Sequence, residues 1–346
     1  MWPVKNQYDQ LVFSCLSGYN YYQIANGGSS AGNSNIRAVH MLNGTEVEIR
    51  PNDTLSKEVC SKKWYYFIEF PADIRNILWP VDIVLLSQDE KHFGLVFRRR
   101  AFPKLEPFRE ILYNEELLDW RKNNIQYLSV NFLDVCESLH SAGYAYHCFD
   151  LNRMYYNPKN MSVRFDFSLS LSRTHGELYK TETIQKDDVA IEMLPPWHKP
   201  FESHDMSLAD DYYSITAMLF RLMIGRMPYQ GRMMDGAGDM MNALRDTDEL
   251  NHSIMFEQYL SQPIFIFDPD NNINMIGLLT NEQIFIDRWN TLPAKVQDMF
   301  LKVLCQKNVE LDPDRRICYS PQQWRDVLGQ ECFNATSAKG DEQASD

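Results

Sequence analysis

The chain has 346 residues, is 44% hydrophobic and carries a formal net charge of −13. That length and apolar content suffice for one large domain or two lobes. An acidic chain with no basic stripe excludes nucleic acid as the main partner.

Seven cysteines, Cys15, Cys60, Cys136, Cys148, Cys305, Cys318 and Cys332, are scattered with no CxxC spacing. The expectation is free thiols in a reducing compartment, without structural zinc. The opening stretch, residues 1–10, lacks the charged-then-apolar order of a signal peptide. No apolar run is long enough to span a bilayer. A cytoplasmic protein with no membrane partner is expected.

The first hundred residues read as short extended runs broken by turn signals. Residues 26–32, Asn-Gly-Gly-Ser-Ser-Ala-Gly, form a flexible loop between two runs. Asn43-Gly44 signals a hairpin joining 36–40 to 46–50. Runs at 81–85 and 93–97 are joined by a turn near 88–90. A small antiparallel sheet is expected, with one helix within 56–70.

Beyond about residue 110 the period changes. Ile125, Leu128, Phe132, Val135, Cys136 and Leu139 recur at helical steps, and Gly143 stops them. Ile215, Met218, Leu219, Leu222 and Met223 repeat the pattern up to Gly225. Leu292, Val296, Met299, Phe300, Val303 and Leu304 make a third helix, with Pro293 in its first turn. The expected fold class is α+β, a small β-rich part followed by a larger helical part. Residues 334–346 are small and polar, and are expected to form a disordered tail.

Several short motifs in the middle of the chain resemble those of protein kinases. Residues 139–148, Leu-His-Ser-Ala-Gly-Tyr-Ala-Tyr-His-Cys, resemble the end of the family's long helix and its catalytic loop. Asp166-Phe167-Ser168 resembles the metal-binding DFG motif, and Ala190-Ile191-Glu192 the APE motif. Asp211-Tyr212-Tyr213-Ser214 resembles D-x-W-S. Gly225 and Pro228 fit the motif that follows it, and Arg315 or Arg316 with Trp324 fits the closing region. The resemblance covers roughly 300 residues. It implies a bilobal kinase-like fold with an N-lobe over 1–98, a C-lobe over 99–333 and the tail beyond. The Trp79-Pro80-Val81-Asp82 segment, the Gly94-Leu95-Val96-Phe97 strand and the Phe265–Pro269 segment resemble bacterial kinase-like proteins of stress and tellurite-resistance gene clusters. That likeness implies a protein partner such as a phosphatase or a von Willebrand A-type protein.

In kinases an aspartate accepts the substrate hydroxyl proton. The family's spacing from His140, from Asp166 and from the short strand at 154–156 implies that Cys148 holds that position and Arg153 that of the second metal-binding asparagine. Asp150 is the rival base by residue type. A thiol with a pKa of about 8.5 replaces a carboxylate base poorly, and losing a positioned base costs roughly 10²–10⁴ in rate. A cation at 153 opposes a second Mg²⁺: two unit charges at ~4 Å and an effective dielectric of ~20 repel by about 4 kcal/mol, a divalent ion by twice that. Arg153 either contacts phosphates itself or points to solvent.

The resemblance implies further nucleotide-site positions. Gly27, Gly28 and Gly32 fit a glycine loop, which reads equally as a surface hairpin. Arg50 stands near the place of the V-A-I-K lysine, with a solvent-facing strand end as its bland alternative. Glu69 fits the helix glutamate that pairs with that lysine, with Glu58 as a rival. Asp166 is the best-kept metal ligand. Glu192 would pair with Arg316 (or Arg315), and Asp211 would brace the catalytic-loop backbone.

Two other readings are set aside. The calcium-like run at 268–279 has Ile273 and Leu279 where glycine and glutamate belong. A thiol nucleophile at Cys148 lacks an orienting group. The expected function is a pseudokinase that binds ATP weakly or not at all and acts as a scaffold or regulator. The alternatives are a divergent active Ser/Thr kinase or kinase-fold transferase using ATP with Asp150 or Asp166, and a structural module with a filled pocket.

Overall fold

The structure is a computed structural model. It describes residues 4–5, 11–14, 21–24, 35–52, 68, 76–86, 92–98, 105–113, 117–147, 149–167, 171–173, 183–184, 193–198, 204–205, 207–233, 263–305 and 316–329. Two compact units divide the chain, Met1–Lys104 and Leu105–Asp346. The first is rich in β-sheet and the second largely helical, a mixed α+β arrangement.

In the first unit, strands β1 (Val4–Lys5), β2 (Leu11–Ser14), β3 (Tyr21–Ile24), β4 (Ile36–His40) and β5 (Glu46–Asn52) run consecutively. After β6 (Ile77–Leu78) come β7 (Pro80–Leu85) and β8 (Phe93–Arg98). One antiparallel sheet takes the order β1-β2-β3-β4-β5-β8-β7, and it curls enough to bring β2 against β7. The β4–β5 hairpin turns where Asn43-Gly44 signals it. Gly44 adopts φ 68° and the Asn43 side chain accepts the Thr45 N–H at 3.0 Å. Alternation then decides the faces. Ile36, Ala38, Val47, Ile49, Val84 and Val96 pack with Tyr22 into one cluster. Arg37, Glu48 and Arg50 take the other face, opposite Phe97 and Leu95. Gly94 sits under this packing, since a Cβ there would lie 2.7 Å from the Ile49 methyl. The helix expected within 56–70 falls almost wholly outside the described residues.

The second unit opens with β9 (Glu106–Pro107), α1 (Phe108–Tyr113) and the long α2 (Leu118–Ser141). Leu128, Phe132, Val135, Cys136 and Leu139 of α2 are all buried, and the chain leaves the helix through Gly143 at φ 81°. Next come β10 (Tyr144–Ala145), β11 (Met154–Tyr156), β12 (Val163–Asp166) and β13 (Ser172–Arg173). β11 pairs with β9 and β12, and β10 with β13. Two further short pairs are β14 (Thr183–Ile184) with β15 (His204–Asp205), and β16 (Arg232–Met233) with β17 (Asn274–Met275).

The central helix α3 (Leu208–Ile224) is buried along nearly its whole length. It packs against α2, α4 (Gln283–Thr291) and α5 (Ala294–Leu304). A last helix, α6, covers 321–329. Phe220 of α3 meets Phe265 and Phe300, and Trp324 of α6 donates its indole N–H to Thr216 of α3 at 3.1 Å. Pro293 is the N-cap of α5, one place outside the helical turn expected for it. Helices α1, α4 and α6 have no counterpart in the periodicity reading. α1 is too short to show a period, and none of the residues of α4 is buried. Among the described residues no helix is long and apolar enough to cross a membrane.

Candidate functional site

The N-terminal end of α3 organises the loops around it. Asp210 and Asp211 are adjacent and both 1% exposed. Asp211 turns toward the end of α2 and the loop after β10. His140 donates its Nε2–H to Asp211 Oδ2 at 2.5 Å, and the His147 backbone N–H is donated to Oδ1 at 2.6 Å. His147 takes φ 49°, a conformation that costs a side-chain-bearing residue energy and is held here by its N–H partner. Burial alone would raise the Asp211 pKa. The His140 hydrogen bond, the charges of His140 and His147 and the His147 N–H outweigh it, and the carboxyl is held below the usual range.

Asp210 turns toward residues 193–207. It accepts from Trp197 Nε1 at 2.5 Å, His198 Nε2 at 2.8 Å, Ser207 Oγ at 2.6 Å and the Ser207 backbone N–H. Burial again pushes upward, but the His198 and Ser207 contacts prevail and lower this carboxyl to about 2. Ser214 Oγ donates to the Met193 carbonyl at 2.9 Å, which fixes the same segment to α3. The Arg316 guanidinium lies 4.6 Å over the Trp197 ring, a cation–π contact. Glu192, its expected partner, lies outside the described residues, as do Arg315, Cys148, Gly27, Gly28, Gly32, Glu69 and Glu58.

Aromatic rings pack together beside the described residues 146–147 and 149–153. Tyr146 is stacked on Phe149, and both meet Phe165 and are buried. Tyr146 donates its hydroxyl to the Asp166 carbonyl at 2.6 Å. Burial first and the Asp166 charge second push the Tyr146 pKa up, so it stays a donor. The ladder pairs Met154 with Phe165, which sets Arg153 opposite Asp166, and the Asp166 N–H is donated to the Arg153 carbonyl at 2.7 Å.

Asp150 is taken up locally. Its Oδ1 accepts the Asn152 backbone N–H at 2.8 Å and the Asn152 side-chain N–H at 3.1 Å, an Asx turn. Its Oδ2 lies 3.7 Å from Arg153 Nε, with both side chains more than a third exposed, so that ion pair is worth little. Asp166 Oδ1 accepts the Phe167 N–H at 3.0 Å. Among the described residues no group of three His, Cys, Asp or Glu side chains is placed to hold a metal ion.

In the first unit, Arg50 donates Nε–H to Glu48 Oε1 at 2.7 Å and lies 4.7 Å over the Phe97 ring. Asn35 donates to the same Glu48 oxygen at 3.0 Å. Sequence reasoning missed Glu48, although strand alternation sets residues 48 and 50 on one face. It also missed Asp210, whose partners Trp197 and His198 come from a separate segment. No family model matches the chain, and no curated protein matches it.

Proposed function

We propose that the chain is a kinase-like module that acts by binding a protein partner, a pseudokinase rather than a phosphotransferase. The observation that carries this reading is the use of Asp150. The carboxylate nearest the catalytic position ties its own turn through Asn152 and faces Arg153. The loop framework around it supports the kinase-like part of the proposal. Asp211 braces the His147 N–H, and Tyr146 reaches the Asp166 carbonyl. In that register position 148 holds a cysteine, and Arg153 replaces the family's second metal-binding asparagine.

The residues at hand do not fit a two-metal nucleotide site. Asp166 stands opposite a residue bearing a guanidinium, and the Arg50 guanidinium already has a carboxylate beside it in Glu48. Binding of ATP, if it occurs, follows from guanidinium–phosphate contact and not from Mg²⁺. The resemblance points to a phosphatase or a von Willebrand A-type protein as the partner class.

A thermal-shift series with ATP, with and without Mg²⁺, tests this. The expected result is either no shift or a shift indifferent to Mg²⁺. Stabilisation that requires Mg²⁺, together with a labelled product formed by Cys148→Ala but not by Asp150→Ala, overturns the proposal.

A further inference from the structure

The C-terminal end of α3 gathers positive charge. Gly225 ends the helix at φ 95°, and its N–H is donated to the Arg221 carbonyl at 2.8 Å. Two guanidiniums close on this turn from different helices. Arg121 of α2 donates Nη2–H to the Leu222 carbonyl at 2.6 Å, and Arg288 of α4 donates Nη1–H to the Ile224 carbonyl at 2.7 Å. A Cβ on Gly225 would lie 2.6 Å from Arg288 Nη1 and 2.9 Å from Arg121 Nη1, so both groups flank one point.

A nearby arginine differs. Arg226 shares the Phe285 ring with Arg288, the guanidiniums lying 5.0 and 5.9 Å from its centroid. Arg226 has a carboxylate, Glu282, at 2.9 Å. Arg121 and Arg288 meet no carboxylate among the described residues, although Arg121 is only 3% exposed. Burial and the Arg288 charge lower the Arg121 pKa to about 9, and burial lowers that of Arg288.

Charge counting shows the imbalance. The end of a helix carries roughly half a negative elementary charge. Among the described residues, two guanidiniums beside it leave more than one positive charge without a carboxylate to offset it. Each guanidinium has five N–H groups in a fork suited to a planar or tetrahedral oxyanion, and one donor of each goes to a carbonyl. Buried cations are ordinarily paired.

We propose that Arg121 and Arg288, converging on Gly225 at the end of α3, form a binding site for an oxyanion, the phosphate or carboxylate group of a ligand. Arg288 is half-buried and is the approach; Arg121 lies behind it. The site belongs to the second unit alone and owes nothing to the kinase-like reading.

The test is thermal shift and titration calorimetry of the full chain with inorganic phosphate and with citrate at matched ionic strength. Either ion should bind saturably, raising Tm by roughly 3–5 °C at about a hundredfold excess over Kd. Phosphate alone marks a phosphate-bearing ligand, citrate alone a carboxylate-bearing one. Arg288→Gln should weaken binding at least tenfold, while Arg226→Gln should leave it within about twofold, each mutation removing one guanidinium from the same ring. Phosphorus NMR of the wild-type chain under phosphate titration reads binding even if Arg288→Gln fails to fold. No saturable binding of either ion to the wild type overturns the proposal, and so does equal binding by Arg288→Gln.

Discussion

At the N-terminal end of α3 two buried carboxylates meet six donors from the end of α2 and the surrounding loops; at its C-terminal end two guanidiniums donate to helix carbonyls and meet no carboxylate among the described residues. Both arrangements suit the helix dipole. The first is complete within the chain, and the lowered pKa values of Asp210 and Asp211 follow from it. The second has donors to spare among the described residues. A satisfied charged cluster serves the fold, while one left with spare donors is where a ligand is to be sought.

Removing the N-terminal anchors should produce the largest effect. Asp211→Ala strands the His147 N–H and the His140 ring, and should cost about 3–5 kcal/mol in denaturant unfolding. Asp211→Asn keeps an acceptor for His147 and should cost less. A loss under about 1 kcal/mol for the alanine variant would show that Asp211 is not the brace.

Acid should act on the same end. The folded-state pKa values of Asp210 and Asp211 lie below their unfolded values, so their contribution is full above the unfolded pKa of about 4 and is lost as pH falls through the folded values, which for Asp210 is about 2. For Asp210 this is on the order of 2 kcal/mol. Unfolding curves from pH 5 to 2 should show the decline, and Asp210→Asn should flatten part of it. A stability independent of pH over that range would break the contrast between the two ends.

Gly225→Ala sharpens the other side. It forces a side chain into φ 95° and toward two guanidiniums. A loss of about 1–2 kcal/mol is expected from the backbone alone, checked by the same unfolding curves. Smallest of all, Asp150→Ala removes an exposed Asx turn and should change stability by roughly 0.5–1 kcal/mol.

How much of this was legible in the sequence depends on the range of the interaction. The α2 and α3 periodicities and their glycine stops at Gly143 and Gly225 are local, and so is the Asn43-Gly44 hairpin; all could be read directly. The Glu48–Arg50 pair is also local, since strand alternation sets both on one face. The His140–Asp211 contact joins residues 71 apart, and in the sequence only the family resemblance points to Asp211 as a brace. Arg121 and Arg288 come from separate helices and meet at the end of a third. No pattern within either helix announces that convergence. Cys148, which the resemblance places where kinases carry their base, lies outside the described residues.

The most direct test is a single-turnover assay with labelled ATP, Mg²⁺ and stoichiometric protein, run on the wild type and on Asp150→Ala. The account predicts no transfer to protein or to a generic hydroxyl acceptor in either. Transfer by the wild type that disappears in Asp150→Ala would contradict it.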